Sequence, residues 1–133
     1  MAERYFTPDE VTALIPRLTA AMDGVMAAHT EASALRERLR AEQLRIAAVG
    51  GGVIDQTTWR RERERLERLT GRVEAGLDEI MSLGGVPKDV GLGLVDFPHL
   101  RSGEEVHLCW KHGEREIRYW HGLDEGYAKR KPL

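Results

Sequence analysis

The chain has 133 residues, 41% of them hydrophobic and 32% charged, with a formal net charge of −2. That size fits one domain (residues 1–133) and excludes two stacked enzymatic domains, and the composition is that of a folded chain, not a disordered one. The near-neutral charge balance, with a pI near 6.2, argues against a general nucleic-acid partner.

The single cysteine, Cys109, excludes an internal disulfide framework and any zinc site built on paired cysteines. No run reaches the roughly 20 apolar residues that span a bilayer. The start, MAERYFTPDE, lacks a signal-peptide apolar region. The expectation is a cytoplasmic protein without a membrane partner.

Thr7-Pro8-Asp9-Glu10 predicts the first helix start: an N-cap hydroxyl, a proline at the first helical position and a glutamate three residues after the cap. Val11, Leu18, Val25, Ala32, Leu39 and Ile46 then recur every seven residues, with Leu14, Ala21, Ala28 and Leu35 three further on. This is the seam of a long coiled-coil-like helix. Pro16 removes one backbone hydrogen bond, which predicts a kink and not a stop. Gly50-Gly51-Gly52 predicts the turn.

A second helix is predicted from about Thr57 to Leu83. Trp59, Leu66, Val73 and Ile80 are again spaced by seven, and Gly84-Gly85 with Pro87 ends the run. Folding the chain back at the glycines pairs Ile46 with Trp59, Leu39 with Leu66, Ala32 with Val73 and Val25 with Ile80. The same register sets His29 against Gly76. An antiparallel hairpin over residues 7–85 follows. The first helix overhangs its partner, leaving Val11, Leu14, Ile15 and Leu18 to be covered.

Residues 86–133 supply the cover as a β-meander and tail. Strands are predicted at Leu92–Phe97, Glu105–Lys111 and Arg115–His121, with turns at Arg101-Ser102-Gly103 and His112-Gly113. A two-residue turn at His112-Gly113 pairs Cys109 with Glu116, Leu108 with Ile117 and Val106 with Tyr119. The predicted fold class is therefore α+β: a long antiparallel two-helix hairpin carrying a three-stranded antiparallel β-meander.

Several segments carry a family likeness. They are Tyr5-Phe6-Thr7 with Glu10, the run from Gly91 to Pro98, Leu108-Cys109-Trp110, Gly113-Glu114, and Tyr119-Trp120-His121 with Gly126 and Arg130. They resemble a bacterial family of small proteins classed as a domain of unknown function, DUF2203. The resemblance implies a bacterial cytoplasmic protein and brings no activity or catalytic residue.

Two residue clusters carry chemistry. His107, Cys109 and Glu116, with His121 nearby, combine imidazole, thiol and carboxylate, a donor set suited to Zn²⁺ or Fe²⁺. Asp96 and His112 are possible supplements. Trp110, Tyr119 and Trp120, with Asp96, Glu114 and His121 as polar handles, form a candidate ligand or partner surface. Trp120 is expected to lie off the core face, beside Glu105. Nine arginines against six acids mark the hairpin tip between Arg36 and Arg68, where i, i+4 ion pairs are expected.

There is no phosphate loop, no paired histidine on a helix and no readable Ser–His–Asp grouping, and no cofactor is assigned. The first functional expectation is a non-enzymatic oligomerisation or adaptor module, homodimeric through its helices, with the meander as a protein-binding surface. The alternative is a small metal- or ligand-binding protein with its site on the meander.

Overall fold

In the computed structural model, which describes residues 2–50 and 55–133, the expected capping box is present. The Glu10 backbone N–H donates to the Thr7 hydroxyl at 3.1 Å, and the Thr7 N–H donates to the Glu10 carboxylate at 3.0 Å. Helix α1 runs from Pro8 to Ala48 and continues through Pro16. Proline at 16 deprives the Thr12 carbonyl of its helical donor. The Thr12 side chain is also engaged, its hydroxyl accepting the Ile117 N–H at 3.0 Å. Gly50 has φ +74°; Gly51 and Gly52 of the expected turn lie outside the described residues.

Helix α2, Gln56–Ser82, begins at Asp55, whose carboxylate accepts the Thr57 and Thr58 N–H groups. It ends where Gly84 takes φ +98°, and a Cβ there would stand 2.3 Å from the Phe6 ring. Only glycine satisfies both conditions.

The helices pack antiparallel in two apolar clusters. Ala28, Ala32, Leu35 and Leu69 form the one toward the tip, with Leu39, Leu66 and Val73 half-buried beside it. Val25 and Ile80 belong to the larger one. The fine register differs from expectation. Gly76 faces Val25 and Ala21, with a built Cβ 2.3 Å from Val25 Cγ2, whereas the heptad pairing set it against His29, one turn away. Trp59 likewise shares its grooves with Leu39, Glu42 and Gln43 and not with Ile46. The missing side chain at Gly76 lets the branched Val25 seat there, which shifts the helices by about a turn.

An 18-residue stretch of α1 reaches a mean hydropathy of 1.2, enough by length and composition to cross a membrane. The buried part of that apolarity is accounted for within the fold. Val11, Ile15, Leu18, Met22 and Val25 join Phe6, Ile80 and Leu83 against sheet residues Val95, Phe97, Leu108 and Trp110. Ile15 and Met22 are buried where the heptad pattern favoured Leu14 and Ala21, because the sheet meets the overhang on a different side from α2.

The sheet is antiparallel with order β1-β2-β3-β4-β5: Val86–Asp89, Leu94–Arg101, Glu104–Lys111, Tyr119–His121 and Lys131–Pro132. The expected meander is β2-β3-β4. Two short edge strands make the sheet five-stranded: β1, between α2 and β2, pairs with β2, and the tail folds back onto β4 as β5. Ser102 and Gly103, at φ 52° and 82°, give the positive-φ pair of a tight hairpin turn.

The His112-Gly113 hairpin is a correction. Leu108 lies opposite Trp120, and His107 opposite His121; Cys109 faces Asp96 on β2, not Glu116. Glu114 is the reason. Its N–H donates to the Lys111 carbonyl at 3.0 Å, its carboxylate accepts the Lys111 N–H at 2.6 Å, and its carbonyl accepts Trp110 Nε1–H at 3.0 Å. These bonds close a local loop and delay β4 until Tyr119. Ile117 still enters the core, but from the loop. Because strand side chains alternate, the new register sends Tyr119 and His121 to the outer face and Trp120 toward the helices, where it packs on the core.

Candidate metal centre

The outer face of the sheet carries three convergent side chains. Asp96 comes from β2, His107 from β3 and His121 from β4. Cross-strand pairing sets His107 opposite His121, and their rings meet edge to face with centroids 5.3 Å apart. Asp96 Oδ2 lies 3.0 Å from His121 Nε2 and 3.5 Å from His107 Nδ1. One ligand atom from each residue lies within 4.8 Å of the other two. Asp96 is 3% exposed and His121 2% exposed, while His107 is partly open to solvent.

The hydrogen bonding of His121 places a proton on one ring nitrogen. Its Nδ1 lies 2.8 Å from the Gly122 carbonyl oxygen. A carbonyl only accepts, so Nδ1 carries the proton. In the neutral ring, Nε2 then bears a lone pair, and that lone pair faces a carboxylate oxygen. Burial holds the His107 pKa below its ordinary value despite the opposing Asp96 charge, so at neutral pH His107 is neutral. With His121 in its neutral form, two imidazoles and a carboxylate offer electron pairs to one small volume.

Cys109 sits behind this group. It is 1% exposed. Burial, reinforced by the Asp96 charge, pushes its thiol up to about 12, so it is a neutral thiol and a poor nucleophile. Arg130 from the tail covers the same face. Its guanidinium binds both Glu114 carboxylate oxygens at 3.1 and 3.0 Å and lies between the Tyr119 and Tyr127 rings, 4.2 and 4.4 Å from their centroids. Glu125 accepts the Gly122 N–H at 2.8 Å, which steadies the carbonyl that orients His121.

Asp96, Cys109, Glu114, His121 and Arg130, drawn from segments far apart in sequence, therefore share one face. A family model described as an uncharacterised conserved protein, DUF2203, matches residues 4–133. The chain belongs to the DUF2203 family. Neither the curated proteins nor the solved structures gave a match. The DUF2203 description names no activity, so the chemistry rests on the residues themselves.

The structure brings only part of the expected metal set together. His107 and His121 converge, with Asp96 as the carboxylate. Glu116 is exposed and its carboxylate accepts from Arg118 Nε at 2.6 Å; the loop at Glu114 carries it away from Cys109. The surface set also separates. Trp110 is 0% exposed and belongs to the core, and Glu114 is occupied by the loop and Arg130. Trp120 is half-buried under Arg101 and Lys131, and its Nε1 finds no hydrogen-bond partner among the described residues. His112 lies apart, its Nε2 2.6 Å from Asp23 on α1. Arg130 and the Gly122 carbonyl were absent from the expected site. Gly122 directly follows His121 at the end of β4, and Arg130 arrives through the tail, whose return onto β4 has no sequence period.

Proposed function

We propose that the protein is a small metal-binding protein holding one divalent first-row ion on Asp96, His107 and His121. The observation that carries this reading is the His121 ring. With Nδ1–H committed to a backbone carbonyl, Nε2 confronts Asp96 Oδ2 at 3.0 Å, a contact that a neutral ring makes only with a cation between the two electron pairs. An N–H···O=C bond on the far side of the ring is the usual way a ligating histidine is oriented.

Separations support the reading. Metal–ligand bonds of about 2.0–2.2 Å at tetrahedral angles put ligand atoms roughly 3.3–3.6 Å apart. The contacts to Asp96 Oδ2, 3.0 and 3.5 Å, lie close to that range, and the two imidazoles, whose ligand atoms are within 4.8 Å of each other, close on the ion as it binds. Two imidazoles and one carboxylate suit Zn²⁺, Fe²⁺ or Co²⁺ and leave a coordination position for water or another small ligand. The burial of Asp96, Trp110 and His121 favours such an internal ion over a protein partner at these residues.

Titration of untagged, metal-stripped protein with Co²⁺ tests the proposal. One equivalent per chain should bind, with visible d–d absorption and displacement by Zn²⁺. Absence of stoichiometric binding at micromolar protein would overturn it.

A further inference from the structure

The helical hairpin is unevenly charged and unevenly filled. From residue 36 to residue 68 it carries nine arginines and six acids, whereas the helical residues on the sheet side, 8–34 and 69–83, carry two arginines and seven acids. Among the described residues from 36 to 68, none is fully buried. The tip layers of Leu39, Ile46, Trp59 and Leu66 are half-buried, and Leu44 is 64% exposed. Two helices alone leave such layers open on both sides.

One of these open sides is a groove with Leu39, Leu66 and Trp59 along it and Arg36, Arg40 and Arg63 around it. Arg40, Arg60, Arg61 and Arg63 have no ion-pair partner among the described residues, in contrast to Arg38, Arg45 and Arg65. The other end of the hairpin offers the complement. Glu74 and Asp78, one turn apart on exposed α2, likewise have no ion pair among the described residues, and Met81 beside them is 52% exposed. The shallow groove of small residues, Ala20, Ala21, Gly24, Ala75 and Gly76, is edged by Arg17, Arg72 and Glu79 and lies on the other flank of α2, apart from this acidic pair.

We infer that the hairpin pairs with a second copy of itself tip to base, each arginine-rimmed tip lying along the acidic Glu74–Asp78 base of the other. A two-fold axis makes both contacts at once, since a self-complementary surface closes as a dimer. Residues 63 and 78, taken as centres of tip and base, are about 22 Å apart along α2, so the two contacts form a continuous four-helix face. A side-by-side parallel pairing would oppose arginine to arginine. This inference stands apart from the metal centre, whose three ligands lie on the sheet.

Sedimentation equilibrium of the full chain at micromolar concentration provides the test. The wild type should sediment at twice 15.0 kDa. The tip variant, Arg40→Glu, Arg60→Glu and Arg63→Glu, and the base variant, Glu74→Lys and Asp78→Lys, should each weaken the dimer by at least about 100-fold, because each opposes like charges. All five positions are exposed, so far-UV dichroism should stay unchanged. Mixing the two variants should restore a heterodimer, since both of its contacts are complementary again. A monomeric wild type, an undiminished dimer in either variant, or a mixture that stays monomeric would each overturn the inference.

Discussion

Trp110→Ala is expected to destabilise the fold by about 3–5 kcal/mol. The indole is 0% exposed and packs with Leu18, Met22, Val95 and Leu108 where α1 meets the sheet. Removing it opens a cavity where the overhang of α1 meets β3. It also removes the Nε1–H donated to the Glu114 carbonyl at 3.0 Å, which shapes the loop before β4. For a domain with roughly 5–15 kcal/mol of total stability, that loss leaves a substantial unfolded fraction. Trp110→Phe keeps most of the volume and should cost clearly less, because the half-buried Glu114 carbonyl can turn to water. Urea unfolding followed by far-UV dichroism measures both. A Trp110→Ala loss below about 1 kcal/mol would place the indole outside the core.

Saturating Zn²⁺ should stabilise the wild type by about 2.7 kcal/mol at a free concentration 100 times its dissociation constant. For this chain length that is a melting shift of roughly 10 °C. Asp96→Asn and His121→Ala should abolish the shift. Each removes a donor from the group of three, which should cost more than the about 10–100-fold in affinity of losing an outer partner. Cys109→Ala should keep most of it, since the three-atom group closes on Asp96, His107 and His121 without the thiol. Asp96→Asn also removes a buried charge, so its metal-free melting temperature is the reference for its own zinc response. A zinc response retained by Asp96→Asn, or absent from the wild type, contradicts the proposed ligand set.

The helical hairpin and its covering sheet were legible in sequence because their signals are local or periodic. Thr7 and Glu10 state the first cap outright, and the seven-residue recurrence from Val11 marks the long face. The limits follow the same physics. A heptad pattern fixes which side faces the partner but not the axial slip, and Gly76 moved that slip by accepting Val25. His112-Gly113 carries good hairpin chemistry, yet Glu114 satisfies Lys111 and Trp110 with three separate bonds and holds the chain in a loop. That single override displaced Glu116 from Cys109 and sent Trp120 to the core side. The candidate centre was half legible for the same reason. His107, His121 and Asp96 were all recognised as polar residues of the meander, but their convergence depends on the delayed β4. Arg130 reaches the same face only through the returning tail.

The central claim is that the His121 Nε2 electron pair, turned toward Asp96 by the Gly122 carbonyl, receives a metal ion. Long-range ¹H–¹⁵N spectra of the ¹⁵N-labelled imidazoles, recorded at neutral pH before and after one equivalent of Zn²⁺, read that atom directly. The account predicts that His121 Nε2 and His107 Nδ1 move to metal-bound shifts while His121 Nδ1 keeps its proton. A His121 ring that stays doubly protonated and unmoved by Zn²⁺ would show instead a buried imidazolium–carboxylate pair, and would contradict the metal centre.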